Sequence, residues 1–270
     1  VKAFESIKEF YKPIQPTVKT EHKGIVYQEI HPEKNLENFV YCFWQLKTRS
    51  ILDTPFVYQV VSDGCIDIFF DKNLPSENFV MGFCRKYTEF SIGKTFNYIG
   101  IRFLPSAFPL LFGVNAKDLS NKSQELKLVL PEFASWINTS INTKQSFEKI
   151  IDLLNSKLFE KIKNRTFDFD ARFFKALNLI LKKKGVLETE SDLTTGLSPR
   201  QLRRIFNFYI GTTPKAFSKV IRFQHILNAK PSSQSLKENK LFYDAGFYDQ
   251  AHFIKDFKNF YGVTPTIAFQ

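Results

Sequence analysis

The chain reads as an α+β protein in two parts, a β-rich N-terminal domain (sandwich or barrel) over 1–163 and an all-helical domain over 164–270. Three observations predict this. Between Gly24 and Phe103, short apolar runs rich in Val, Ile, Phe and Tyr are separated by Pro, Gly, Asp and Asn, as in several short strands joined by turns. Beyond Arg165 the apolar residues recur at helical spacing instead. A stretch of that second half also occurs twice, 51 residues apart, which marks a duplicated supersecondary unit. A length of 270 residues suits two domains with a sizeable core.

The first twenty residues, with Pro13 and Pro16, are expected to form an extended, loosely packed lead-in. Strands are expected over 25–30, 39–46, 56–61, 65–70, 79–83 and 98–103. Val40, Cys42, Trp44 and Leu46 alternate along the second, so they share one face. Ser62-Asp63-Gly64 is the clearest tight turn. Short helices follow over 106–112, stopped by Gly113, and 130–138, opened by Pro131. A longer one runs over 144–161. Its Phe147, Ile150, Ile151, Leu154 and Leu158 form one stripe, which serves either packing on the sheet or a dimer contact. A linker at 162–168 leads to a helix over 169–184, whose final Lys182-Lys183-Lys184 suits the helix dipole.

The second half is organised around 197–208, Leu-Ser-Pro-Arg-Gln-Leu-Arg-Arg-Ile-Phe-Asn-Phe. Ser198 is a good N-cap, and Pro199 falls at the first helical position. Leu202, Ile205 and Phe206 share one face, leaving Arg200, Arg203, Arg204 and Asn207 pointing elsewhere. Arginines on a short helix with an apolar back suit a DNA major groove, where the planar guanidinium pairs with guanine edges or with phosphate. In the second copy Asp249 replaces Ser198, Phe253 replaces Leu202 and Phe257 matches Phe206. Gly262, Thr264 and Pro265 repeat Gly211, Thr213 and Pro214. Gly196 and Gly246 stand just ahead of the two caps, and a glycine turn leading into a basic helix is the helix-turn-helix plan. Between the copies, a helix over 214–228 carries Phe217, Val220, Ile221, Gln224 and Leu227 in one stripe. Pro231-Ser-Ser-Gln-Ser235 then breaks the chain.

At these residues the sequence resembles the AraC/XylS family of bacterial transcription regulators. The resemblance is carried by Ala-Gly-Phe-Tyr-Asp-Gln-Ala-His-Phe-Ile-Lys-Asp-Phe-Lys at 245–258, the closing Gly-x-x-Pro of 262–265, and 211–227 in the first copy. Together these cover about the last hundred residues. More weakly, 60–70 and Gly-Ile-Arg-Phe-Leu-Pro at 100–105 resemble the sensor domain of one branch of that family. Two departures stand out. Leu241-Phe242 replaces the small residue expected before the second turn. The segment before the first turn, 190–196, carries Asp192 and Thr194 where a supporting helix would be apolar.

The resemblance implies a sequence-specific DNA-binding regulator with a cupin-like or barrel-like sensor domain, not an enzyme. Its recognition helices, 198–208 and 249–260, would enter successive major grooves roughly 34 Å apart. The linking helix would set that separation. Arg200 and Arg203 would read base edges, while Arg204 reads a base, holds phosphate or pairs with a structural carboxylate, and Asn207 shares that surface. In the second helix Gln250, His252 and Lys255 would face DNA and Lys258 the backbone, with His252 read equally as a surface histidine. Double-stranded DNA is the implied partner. RNA polymerase, a small effector of unidentified chemistry and a second copy of the chain are compatible with it. The competing reading is a ligand-sensing or protein-interaction adaptor whose DNA-binding domain has degenerated.

Charge agrees with the first reading. Net charge is +11, and the residues from Arg165 onward carry 17 Lys+Arg against 9 Asp+Glu, placing the basic excess where phosphate must be neutralised. No run of 18 apolar residues and no signal peptide is found, so a cytoplasmic protein off the membrane is expected. Cys42, Cys65 and Cys84 lack metal spacing and are expected reduced and buried. His22, His31, His225 and His252 are scattered, and no metal or cofactor site is expected. Asp63, Asp67 and Arg102 are read as effector contacts or, equally, as partners of a turn or of one another.

Overall fold

Alternation along the strands builds the N-terminal domain. The computed structural model describes residues 7–16, 24–163, 165–167, 169–189, 191–229, 246–247 and 249–269. Its strands are β1 (Ile25–Ile30), β2 (Val40–Thr48), β3 (Val57–Val60), β4 (Ile66–Asp71), β5 (Asn78–Met81), β6 (Thr88–Ser91), β7 (Asn97–Phe103) and β8 (Ser123–Glu125). Six form one sheet in the order β1-β2-β7-β4-β5-β8, while β3 and β6 pair separately as a ribbon. Every pairing is antiparallel. The expected strands are present; β6 and β8 are additional.

The period of two gives the large sheet two different faces. Phe43, Ile68, Phe70, Ile99, Ile101 and Phe103 point into the main core, and Cys42, Trp44 and Leu46 join Tyr58 and Phe96 in a separate cluster. Gly100 stands opposite Trp44. The indole lies where any Cβ at position 100 would go, so glycine is required there by close approach. All three cysteines are free and buried.

Helices cover the main-core face: α1 (Ala107–Phe112), α2 (Ala116–Leu119), α3 (Pro131–Ser140) and α4 (Phe147–Ile162). Ser146 caps α4 by accepting from Lys149 N, and its whole apolar stripe is buried within this chain. The stripe therefore serves internal packing. The helical domain follows with α5 (Ala171–Lys182), α6 (Pro199–Tyr209), α7 (Pro214–Ala229), α8 (Gln250–Tyr261) and the short α9 (Pro265–Ala268). A single buried apolar cluster runs from Ile7 through the sheet to Phe260, so the two domains share a continuous core.

The lead-in departs from expectation. Ile7, Tyr11 and Gln15 are buried, and the segment straps the domains together. Tyr11 donates its hydroxyl to Asp63 O. The Gln15 amide donates to Val61 O at 2.9 Å and Asp63 Oδ2 at 2.8 Å. Ile14 N donates to Gln224 Oε1 of α7 at 2.8 Å. Tyr11 and Gln15 thereby satisfy buried polar groups at 61–63, while Gln224 satisfies the backbone of Ile14 in the strap.

Candidate nucleic-acid interface

The first recognition helix, α6, starts with a full capping box. Ser198 Oγ accepts from Gln201 N at 3.3 Å while Gln201 Oε1 accepts from Ser198 N at 2.9 Å, with Pro199 at the first helical position. Two of the free N–H groups at the helix start are thereby satisfied. Leu202 and Phe206 are buried and Arg200, Arg203 and Arg204 are exposed. None of the three arginines forms an ion pair among the described residues, so their guanidinium groups face solvent. Asn207 is half buried, with its side-chain oxygen turned into the protein. The structure thus brings the three arginines together and separates Asn207 from them.

The second helix, α8, is capped by Asp249, which accepts from His252 N at 2.7 Å. Phe253, Phe257 and Phe260 are its buried face, and Gln250, Lys255 and Lys258 are exposed. His252 is half buried, its Nε2 3.3 Å from Asp256 Oδ2 and its ring edge-on to Phe247. Asp256 also takes Lys219 Nζ from α7 at 3.0 Å. His252 is therefore engaged inside the domain, while its three companions are open to a ligand.

What backs each helix differs. Among the described residues between α5 and α6 there are turns and bends but no helix, so the first unit lacks a regular supporting helix. The polar residues noted at 190–196 explain this, since Asp192 bonds back to Glu188 N at 3.2 Å and pairs with Lys183 at 3.6 Å. Instead α6 packs on Phe173 of α5, Phe217 of α7, and α1 and α2 of the sheet domain. The segment preceding the second unit, with Leu241, Phe242 and 231–235, lies outside the described residues.

Sequence reasoning missed the residues that lock these helices in place. Arg222, on α7, donates to Gly185 O at 3.0 Å and Gly246 O at 2.9 Å and lies over the Phe247 ring. Burial lowers its pKa. Gln224, read as part of an apolar stripe, is buried and bonds to Ile14 and to Ser62 O. The C-terminal ends of both recognition helices rest on the sheet domain. Gly211 O accepts from Ser120 Oγ at 2.5 Å. At the end of α8, Phe260 O accepts from Ser62 N at 3.4 Å, Asn259 O from Tyr87 N at 3.1 Å, and Asn259 Nδ2 donates to Arg85 O at 3.0 Å.

A second feature lies within the sheet domain. A cavity of about 410 Å³ separates the β3–β6 ribbon from the large sheet. Its floor carries Arg102 and Asp67, directly opposite each other on β7 and β4. Arg102 bonds Asp67 through Nε at 3.2 Å and Nη2 at 2.9 Å and pairs with Asp63 at 3.4 Å. Arg102 and Asp67 thus partner one another and at the same time line the cavity. Burial raises the Asp67 pKa to about 6, against the opposing pull of Arg102. Among the described residues no group of three or more His, Cys, Asp or Glu is placed to hold a metal, and no helix is long and apolar enough to cross a membrane.

Two stretches of the chain match known families. Residues 28–125 match a domain of unknown function (DUF6597), and residues 194–269 match a helix-turn-helix domain. No curated protein matches the chain. Among solved structures it is similar to apo ToxT from Vibrio cholerae, at 12% identity and a TM-score of 0.44, covering 83% of this chain and 96% of that one. It is also similar to Vibrio cholerae ToxT bound to (E)-4-(8-methylnaphthalen-1-yl)but-3-enoic acid, at 12% identity and a TM-score of 0.39, covering 91% and 98%. With its two capped helices each closed by Gly-x-x-Pro, the segment 194–269 is a helix-turn-helix domain of the AraC/XylS type.

Proposed function

We propose that this DNA-binding transcription regulator reads two successive major grooves, with α6 in one and α8 in the next, under control of the β-rich domain. The observation that carries this is the pair of capped helix starts. Each leaves exposed polar or basic side chains around free backbone N–H groups, while its far end is fastened to the sheet domain. Arg200 and Arg203 are the base-reading candidates of α6, with Arg204 on base or phosphate. Gln250 and Lys255 serve in α8, where Gln pairs bidentately with adenine, and Lys258 holds the backbone. Asn207 and His252, both half buried, act by positioning. The sixteen-residue α7 is a rigid spacer of roughly 24 Å, braced by Arg222 and Gln224.

Control reaches α8 through the β3–β6 ribbon. The ribbon roofs the cavity, and the residues at its ends, Ser62 and Tyr87, hold α8. A small molecule in the cavity would bias the ribbon, and with it the second recognition helix. Polymerase contact and a homodimer are further parts of this reading.

Selection of bound sites from a random DNA pool by the full chain tests it. Two boxes about 10 base pairs apart are expected. One box alone would limit base reading to one helix. No enriched motif would favour the adaptor reading, which the missing supporting helix before α6 specifically motivates.

A further inference from the structure

The cavity under the β3–β6 ribbon has more structure than a sensor of unspecified ligand requires. Its walls are largely aromatic, with Trp44, Phe69, Phe79 and Tyr98 from the large sheet and Phe90 from the ribbon. The Trp44 indole donates to Asp67 Oδ2 at 3.0 Å, which fixes its plane across the floor. Such a surface selects a flat apolar body.

The floor selects the head group. Arg102 is 2% exposed at its side chain, and three carboxylates surround it: Asp67 at 2.9 Å, Asp63 at 3.4 Å and Glu29 at 4.0 Å. An anionic ligand would add a fourth carboxylate to a guanidinium already over-neutralised, at a cost in desolvation that no unpaired cation among the described lining residues offsets. Yet Arg102 Nη1 is buried and makes no hydrogen bond of ordinary geometry among the described residues, with Glu29 Oε1 4.0 Å away and the Tyr58 hydroxyl beside the guanidinium. A buried donor without an acceptor is costly. A cationic head would leave it unmet. A neutral oxygen meets it without adding charge, and a hydroxyl can also donate to a neighbouring carboxylate.

We infer that the cavity binds a small, uncharged aromatic molecule bearing a hydroxyl or carbonyl oxygen, which accepts from Arg102 while its ring packs on Trp44, Phe69 and Tyr98. The inference rests on the reading of the β-rich domain as a sensor and narrows it to one ligand class.

Three probes with one skeleton test it: 4-phenylbutan-1-ol, 4-phenylbutyrate and 4-phenylbutylammonium. Trp136→Phe leaves Trp44 as the single tryptophan, and its emission reports binding to the full chain. The alcohol is expected to bind saturably and about tenfold more tightly than either charged probe. Ser91→Phe, at an exposed position on the cavity's lining, should fill the cavity and abolish alcohol binding without lowering the melting temperature. Equal binding by all three probes, preference for a charged one, no saturable binding, or alcohol binding unchanged by Ser91→Phe would each overturn the assignment. Affinity for a selected DNA site is measured alongside. Tight alcohol binding with no change at the DNA would keep the ligand class and sink the sensor reading.

Discussion

The two copies of the repeat solve one problem by different means. In the first, α6 carries its charge as three exposed arginines and takes its support from the neighbouring domain, through α1, α2 and the Ser120–Gly211 contact. In the second, α8 carries a mixed polar face and an aromatic back of Phe253, Phe257 and Phe260, and meets the ribbon through backbone bonds of Asn259 and Phe260. The first copy exposes three like charges and sits on α1 and α2, whereas the second exposes a mixed polar face and sits on residues that flank the ribbon roofing the cavity. Duplication supplied the same helix twice, and the surroundings assigned each copy its work.

The sharpest way to break this comparison is at the DNA. Arg203→Ala is expected to weaken specific binding by about 10- to 100-fold and to relax preference at one base pair. Lys258→Ala should weaken specific and random DNA alike by only about two- to fivefold and flatten the salt dependence. Titrations on both DNAs at two salt concentrations separate the two, and equal behaviour of the variants would erase the distinction between the copies.

Seating comes next. Gly211 has φ +91°, and a Cβ there would meet the carbonyl oxygen of Ala116 at 2.8 Å. Gly211→Ala should cost about 1–3 kcal/mol in urea melts. Gln224→Ala, which strands the Ile14 N–H and Ser62 carbonyl, should cost a similar amount. Gly262 has φ +103° but meets the movable Gln59 side chain, so Gly262→Ala should cost less than Gly211→Ala.

Smaller effects are expected at the caps. Ser198→Ala and Asp249→Ala should each lower stability by about 1 kcal/mol; in Ser198→Ala the backbone N–H of residue 198 keeps its bond to Gln201 Oε1. At the bottom of the scale, Asn259→Ala should shift global stability by less than about 1 kcal/mol yet speed amide exchange at Tyr87, whose N–H bonds to α8. Unchanged exchange there would mean that the ribbon and α8 are held independently.

Much of this was legible from the chain. Strand alternation and the repeat at a fixed offset are local signals, and β2, β4, α6 and α8 fall where those signals put them. The β6 ribbon strand was not, because Thr-Glu-Phe-Ser is short and half exposed, with too little apolar contrast to set a period. The floor of the cavity left a trace: Asp67 and Arg102 are single charges inside apolar runs, at inward positions of β4 and β7. Such a charge needs a partner, though only the register shows that they are each other's. The seats of α6 and α8 left almost none. Gln224 looks like an ordinary member of a helical stripe until the strap at 7–16 supplies its acceptors and donors. Contacts between distant parts of a chain carry no periodicity.

The absent supporting helix before α6 bears on how the protein is made. In chain order α1 and α2 precede α6, so α6 leaves the ribosome after the surface on which it packs. A graft of 164–270 onto an unrelated N-terminal domain would lose that support and expose the surface of α6 that α1 and α2 now cover. The two domains are in this respect a matched pair, and swapping either for a distant relative's should give a chain whose α6 has nowhere to rest.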